Sequence, residues 1–301
     1  MKKYIITAAL TATFLASAQN PDPLHQAVYN NIADAVANKQ TATQLNFRDQ
    51  GIFHVPEELG KLKKLVFLNL MGNNLEYVEE DIFTLKKLEV LNLKLNALKY
   101  LPEGISNLKH LIRLDVSDNE IHSLPQDVMK LRNLRFLHLS YNNLTAVPYT
   151  LGNCQNLEAL QLDNNQLSYL PDEFSQLKNL KTLDLGYNQF NEIQGEWLNL
   201  AALTDLNLEY NHLKTLPDNI GVLTNLKTLI INNNKLKNLP ESIGNLQELQ
   251  LLSLSENELR SLPESIFALK KLKTLILTGN PISKKEQEKI KKYLPGCSIY
   301  F

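Results

Sequence analysis

Residues 203–225 read LTDLNLEYNHLKTLPDNIGVLTN, and their pattern of leucines, one asparagine and one proline recurs along most of the chain. Counted from Ala42, units begin at residues 180, 203 and 226, which gives a period of 23 residues. Apolar residues take the first, fourth, sixth, eleventh and fourteenth places of each unit. A fixed period of roughly 20–50 residues indicates a solenoid, in which each unit buries its apolar face on its neighbours.

The ninth place of the repeat is asparagine in every unit except the first, which has Gln50. The strand ends at this place and the chain turns into the core, so backbone N–H and C=O groups lose their ladder partners. An asparagine amide provides two N–H donors and a carbonyl acceptor, which can satisfy those groups in unit after unit. A structural role is therefore expected for this row. Its members are Asn73, Asn96, Asn119, Asn142, Asn165, Asn188, Asn211, Asn234, Asn257 and Asn280.

Each unit divides into a strand and a crossover. Apolar and polar residues alternate around Leu206 and Leu208, which is the pattern of a short strand with one buried face. Pro217 then suits the start of a short helical turn, on which Ile220 and Leu223 share one face. The sequence therefore predicts an α/β architecture of eleven parallel strands, one from each unit, joined by short helical crossovers.

The pattern LxxLxLxxNxLxxLPxxIxxLxxL resembles the leucine-rich repeat family, in its 23-residue class with an LPxxI crossover. Similar repeats occur in intracellular scaffolds and in many bacterial surface or secreted proteins, and a bacterial-type secreted protein is the expectation here. The resemblance covers residues 42–282. It implies a right-handed horseshoe with a parallel β-sheet on the concave side and short helical or 3-10 turns on the convex side. It also implies that ligands bind on the concave sheet.

Four segments are expected along the chain. Residues 1–18 combine a basic start, an apolar run and the small-residue site ASA, which is typical of a signal peptide cleaved after Ala18. Residues 19–41 should form a helical cap, 42–282 the eleven repeats, and 283–301 a cap helix with a final strand. Export predicts a secreted, periplasmic or cell-surface location, whereas an uncleaved N-terminus would favour an intracellular signalling scaffold.

Composition and motifs narrow the function. The formal net charge is −1, without the basic stripe of a nucleic-acid binder, and no apolar run is long enough to span a membrane. No GxSxG, HExxH or phosphate-loop motif occurs, so we expect no enzymatic activity, cofactor or metal. We also expect a monomer. The alternative is a hydrolase using Asp184 and Asp205. It would need a cleft and shifted pKa values, which an open, solvated sheet is not expected to offer.

The third, fifth, seventh and eighth places should face the hollow of the horseshoe, because the fourth and sixth face the core. At the eighth place three tyrosines fall in one row, interrupted by Asn164. Tyrosine is favoured at recognition surfaces, although a half-buried strand also tolerates it. We therefore predict a site for a protein partner on the central strands. Its residues are Phe136, His138, Tyr141, Asp163, Asp184, Tyr187, Asp205, Asn207, Glu209 and Tyr210.

One unit departs from the crossover pattern. In FNEIQGEWLNLAA, residues 190–202, Gln194 replaces the expected proline and Trp197 replaces an isoleucine or leucine. The expected outcome is a repacked convex turn. The alternative is a second contact site on the convex face, carried by the indole.

Overall fold

A computed structural model describes residues 26–301, and within this part the strands form a single parallel sheet of 13 strands in sequence order. The strands are β1 Val28–Tyr29, β2 Gln44–Asn46, β3 Phe67–Asn69, β4 Val90–Asn92, β5 Arg113–Asp115, β6 Phe136–His138, β7 Ala159–Gln161, β8 Thr182–Asp184, β9 Asp205–Asn207, β10 Thr228–Ile230, β11 Leu251–Ser253, β12 Thr274–Ile276 and β13 Ser298–Tyr300. Two α-helices flank the repeats, α1 Ile32–Ala37 and α2 Lys284–Tyr293.

The predicted solenoid of parallel strands and short crossovers is confirmed. Strands β2 to β12 are the eleven repeat strands, and the flanking segments add β1 and β13 to the two ends of the sheet. The crossovers are short 3-10 turns on the convex side. Their bounds are Glu57–Lys61, Glu80–Thr84, Glu103–Asn107, Gln126–Lys130, Tyr149–Asn153, Asp172–Gln176, Gly195–Leu198, Ile220–Val222, Glu241–Asn245 and Glu264–Ala268.

The strands pair in a register that places equivalent repeat positions side by side. Leu206 of β9 lies opposite Leu183 of β8 and Leu229 of β10, and all three leucines are fully buried. Because a strand sends alternate side chains to opposite faces, the leucines point into the core while their strand neighbours point into the hollow. The core is therefore one continuous layer between the sheet and the 3-10 turns.

The ninth-place asparagines form the predicted ladder. Asn211 donates from Nδ2 to the carbonyl oxygens of Leu185 and Leu208, at 3.0 and 3.1 Å, and its Oδ1 accepts the Phe190 N–H at 3.0 Å. Each of the ten asparagines makes the equivalent three bonds. One amide thus joins two successive turns of the solenoid.

The segments that flank the repeats extend the sheet and cover its ends. The expected helical period is wrong at Val28, which lies in β1 and pairs with Gln44, so that α1 begins only at Ile32. At the other end the Ser283 side chain accepts the Glu286 N–H and starts α2. The expected signal peptide, residues 1–18, lies outside the described residues.

The departing unit is repacked around its tryptophan. Trp197 is fully buried among the core leucines, so its ring is not available to a partner on the convex face. The expectation of a repacked turn is confirmed, and the indole does not form the alternative contact site. No helix between residues 26 and 301 has the length and apolarity that crossing a membrane requires.

Replacing Asn211 with leucine is expected to lower the free energy of unfolding by about 1–3 kcal/mol, because two buried carbonyls and one N–H lose their partner. Chemical denaturation measures the loss. Asn191→Leu is the matched control, since Asn191 is exposed and bonds only within its own loop. Equal stability of the two variants would contradict the ladder.

Candidate functional site

Side chains at the fifth place of the repeat face the hollow, but several of them bond to the backbone of their own turn. Asn207 Oδ1 accepts the N–H of Glu209 and Asp184 Oδ1 accepts the N–H of Gly186, each at 3.0 Å. The same bond to the residue two places on recurs at other fifth places, namely Asn69, Asn92 and Asp115. Asn207 is only 4% exposed. Its amide therefore closes the end of the strand, and its contact with a ligand stays a prediction.

The eighth place has a left-handed backbone in every repeat. Tyr141, Tyr187 and Tyr210 have φ of 53°, 53° and 51°, and the other units have values between 53° and 81°. This conformation turns the chain out of the strand while the eighth-place N–H still bonds the next repeat, as in Tyr187 N–H to Glu209 O at 2.8 Å. A side chain with a Cβ is disfavoured there by about 1–2 kcal/mol.

The sequence carries a signal for this backbone. Six of the eleven eighth places hold glycine, asparagine or aspartate, which tolerate positive φ best: Asp49, Gly72, Asp118, Asn164, Asn233 and Gly279. Against that background a bulky tyrosine is an outlier. The three tyrosines are held in a conformation that their own side chains disfavour.

The tyrosine row presents its rings to solvent. Tyr141, Tyr187 and Tyr210 are 55%, 43% and 41% exposed. The rings of Tyr187 and Tyr210 stack, with centroids 4.1 Å apart and planes 13° from parallel. Adjacent repeats thereby combine two rings into one aromatic surface. Tyr141 stands two repeats before Tyr187, with Asn164 between them.

Three half-buried carboxylates lie beside the stacked tyrosines: Asp163, Asp184 and Glu209. Gly186 separates the two flanking seventh-place acids, and its missing side chain leaves the space into which Glu209 leans. A Cβ on Gly186 would lie 3.3 Å from Glu209 Cγ and 3.3 Å from Asp184 Oδ1. This glycine was not among the predicted site residues, yet it brings the acids together.

The environment of this cluster makes ionisation costly. Burial, followed by the negative charge of Asp163, raises the pKa of Asp184 well above its ordinary value, and Glu209 adds to the effect. Burial, opposed by hydrogen bonds from Asn232 and Asn207, leaves the pKa of Glu209 raised as well. Shifted pKa values were not expected on an open, solvated sheet, and that expectation is wrong because the concave rows bury one another.

The same burial and the same carboxylate charges act on the hydroxyl groups of the tyrosine row. Burial and then the charge of Glu209 raise the pKa of Tyr187, while burial and then Asp163 raise the pKa of Tyr141. The row and the carboxylates therefore form one electrostatic unit, which we name the tyrosine–acid site: Tyr141, Asp163, Asp184, Tyr187, Glu209 and Tyr210. Within residues 26–301 no three His, Cys, Asp or Glu residues are grouped to hold a metal ion.

Phe136 and His138 lie on β6, in the repeat that also carries Tyr141. His138 is 2% exposed, with Nδ1 3.5 Å from Asp115 Oδ2, and the Arg113 guanidinium lies 4.2 Å from the centre of the Phe136 ring. Burial pushes the pKa of Asp115 upward, but hydrogen bonds from His138 and Ser117 hold it below its ordinary value. His138 was expected to be open to the hollow, and this is corrected: lateral packing buries it beside Asp115.

Asp205 does not pair with Asp184 as expected. Its register partner on β8 is Thr182, and its Oδ2 accepts the Thr204 hydroxyl at 2.7 Å. The charges that act on Asp184 are those of Asp163 and Glu209. The carboxylate pairing predicted for a hydrolase is therefore not the pairing in the structure.

Comparison with known proteins gives the family. A family model described as a leucine-rich repeat region matches residues 87–194 and 219–290, together more than half of the chain. The chain belongs to the leucine-rich repeat family. No curated protein sequence matches it significantly.

Two similar solved structures share the fold of this leucine-rich repeat protein, and a third is similar in sequence. A plant peptide hormone receptor, RGFR1 in complex with RGF2, is 26% identical with a TM-score of 0.75, over 92% of this chain and 46% of the receptor chain. An internalin of Listeria monocytogenes is 19% identical with a TM-score of 0.69, over 88% and 82%. A leucine-rich repeat protein of Leptospira interrogans is 30% identical with a TM-score of 0.38, over 92% and 100%. The chain spans less than half of the receptor's length.

Replacing Asp184 with asparagine is expected to raise the free energy of unfolding at pH 7 by on the order of 1 kcal/mol, since a tenfold change in ionisation is worth about 1.4 kcal/mol. The pKa of Asp184 is higher in the folded than in the unfolded chain, so wild-type stability falls as pH rises from about 4 through the folded value. At pH 3 the carboxyl is protonated in both states and the advantage should vanish. The amide oxygen still accepts the Gly186 N–H.

Denaturation at the two pH values measures this difference. Asp172→Asn, on an exposed 3-10 turn, controls for the loss of one negative charge. If Asp184→Asn raised the free energy of unfolding equally at pH 3 and pH 7, the raised pKa assigned to Asp184 would be contradicted.

Proposed function

We propose that this chain is an exported, non-enzymatic recognition module that binds a protein partner on its concave sheet through the tyrosine–acid site. Leucine-rich repeats bury a continuous core regardless of what occupies their concave positions, so specificity resides in those positions. The site combines large exposed rings, a stacked aromatic surface and adjacent charge. These are the features of residues that dominate binding energy at protein interfaces.

The observation that carries the proposal is the backbone of the tyrosine row. Three tyrosines occupy a left-handed position where glycine or asparagine would fit better, and they leave 41–55% of their surface exposed. Neither the core nor the asparagine ladder uses their rings. A disfavoured conformation retained in one row supports a role in contact with another molecule.

The comparisons support the same class of function. The similar plant receptor is described as a peptide hormone receptor in complex with RGF2, which is binding by a leucine-rich repeat chain of related sequence. Extending protein binding to this chain is our inference, because the shared region covers less than half of that receptor.

The structure meets one requirement of a hydrolase, a carboxyl group with a raised pKa, but it does not provide a free pair of reacting carboxylates at this site. The pKa of Asp184 is raised, as an acid catalyst requires. Asp184 nevertheless accepts the Gly186 N–H, and Asp163 accepts both the Ser140 hydroxyl and the Asn164 amide. These carboxylates are engaged by the protein's own donors, which favours a fixed charged surface over a reacting pair.

Replacing Tyr141, Tyr187 and Tyr210 together with asparagine should lower partner capture by about tenfold or more, because hot-spot tyrosines each contribute about 2 kcal/mol. Asparagine already occupies this place in other repeats, so the backbone is retained. The measurement is quantitative mass spectrometry of proteins captured from extracts of the encoding organism. The matched control replaces exposed tyrosines that do not occupy an eighth place, namely Tyr100, Tyr149 and Tyr169.

The proposed site would be supported by partner proteins that the wild type and the control variant capture equally, but that the tyrosine-row variant captures in smaller amounts. Equal capture by all three proteins, each checked for the same melting temperature, would place the binding surface elsewhere.

Export predicts that the mature chain begins at Gln19, after cleavage following Ala18. Intact-mass spectrometry of the protein purified from the encoding organism measures this directly. A chain that retains Met1 would refute export and favour the intracellular scaffold.

A further inference from the structure

The stacked pair Tyr187 and Tyr210 forms an exposed aromatic surface with a defined charge at its side. The two nearly parallel rings belong to successive repeats, and Glu209 immediately precedes the second of them. Glu209 leans across Gly186 toward Asp184, so the carboxylates flank the aromatic surface. A ligand group that fits here must stack on a ring face and carry positive charge.

Among residues 26–301, no cation lies within ion-pair distance of the negatively charged side chains of this surface. Between residues 26 and 301 no Lys, Arg or His nitrogen lies within 4.0 Å of a carboxylate oxygen of Asp163, Asp184 or Glu209. By contrast, Asp118 on the same concave row as the tyrosines is paired with Lys94 at 3.1 Å. Like charges that are partly buried together without a cation are unfavourable, so a ligand cation would offset an existing cost.

We propose that the tyrosine–acid site receives an arginine side chain of the partner protein, with its guanidinium plane on the Tyr187–Tyr210 surface and its N–H groups on Asp184 and Glu209. This inference rests on the proposed function and specifies the chemistry of the partner. It commits the site to a basic segment of a protein.

Guanidinium fits this surface better than ammonium. It is planar, it stacks on aromatic rings, and its fixed fork of N–H donors matches carboxylate oxygens. It is also more weakly hydrated, so less is lost when it leaves water for a half-buried surface. A cation over a tyrosine ring adds attraction beyond the ion pair itself.

The probe is a fluorescein-labelled octapeptide of four Ser-Arg repeats, compared with Ser-Lys and Ser-Glu peptides of the same length. In an extended peptide every second side chain points to one face, so all arginines can face the sheet. Fluorescence anisotropy at low salt measures affinity for the full chain. We expect the arginine peptide to bind at least about fivefold tighter than the lysine peptide, and the Ser-Glu peptide not to bind.

The deciding variant is Asp184→Asn with Glu209→Gln, which keeps the shape and the hydrogen bond to Gly186. This variant should lower the affinity for the arginine peptide by about tenfold or more. The matched control is Asp218→Asn with Glu192→Gln, two exposed acids away from the concave face, which removes the same charge. The control should change affinity by less than about twofold.

Equal weakening by both double variants would overturn the proposal, because binding would then follow net charge. Equal or tighter binding of the lysine peptide would overturn the assignment to guanidinium, and failure of the wild type to bind the arginine peptide would overturn it outright. These failures leave the proposed function standing if the tyrosine-row variant still loses its partner, so the two claims are separable.

Discussion

The hydrogen bonds of one amide per repeat determine how this molecule is built. Each ninth-place asparagine holds carbonyls of its own turn and the preceding turn, and it accepts an N–H from the preceding turn as well. Leucine packing alone is non-directional and would allow the turns to slide. The amide is directional, so it sets the register in which Leu183, Leu206 and Leu229 stack. The continuous core is a consequence of that alignment.

The same turn limits which side chains are available for recognition. Its tight exit from the strand places the eighth residue at positive φ in every repeat. Where the fifth place is Asn or Asp, as at Asp184 and Asn207, the side-chain oxygen accepts the N–H two residues on. Fifth-place side chains such as Asn207 are consequently occupied by the backbone although they face the hollow. The eighth-place side chain carries no such bond and projects outward from a strained backbone. The tyrosines therefore lie at a place where the backbone disfavours a large side chain, but where neither the core nor the asparagine ladder contacts the ring.

Much of the fold was predictable because it repeats. The period placed Leu206 and Asn211 correctly, since the alternation of a strand and the donor inventory of an amide are local properties. The burial of His138 and Asn207 was not predicted, because it depends on rows packing laterally across strands, which one repeat does not reveal. Burial raises the pKa of Asp184 most, followed by the charges of Asp163 and Glu209 from the two neighbouring repeats. The left-handed eighth place was visible in its glycines and asparagines, but only once the column is compared down all units.

The unbroken 23-residue period also governs how the concave surface can change. Equivalent places recur at one strand spacing, about 4.8 Å, along the whole arc. Exchange of side chains at these places is limited by the neighbouring repeat: a Cβ at Gly72 would overlap Asp49 Oδ1, and a Cβ at Gly279 would lie 2.6 Å from the carboxyl carbon of Glu256. A binding patch can shift along the arc, widen or shorten in steps of one repeat. Each such step must also fit the side chains of the adjacent repeat, so the composition of one repeat constrains the next along the arc.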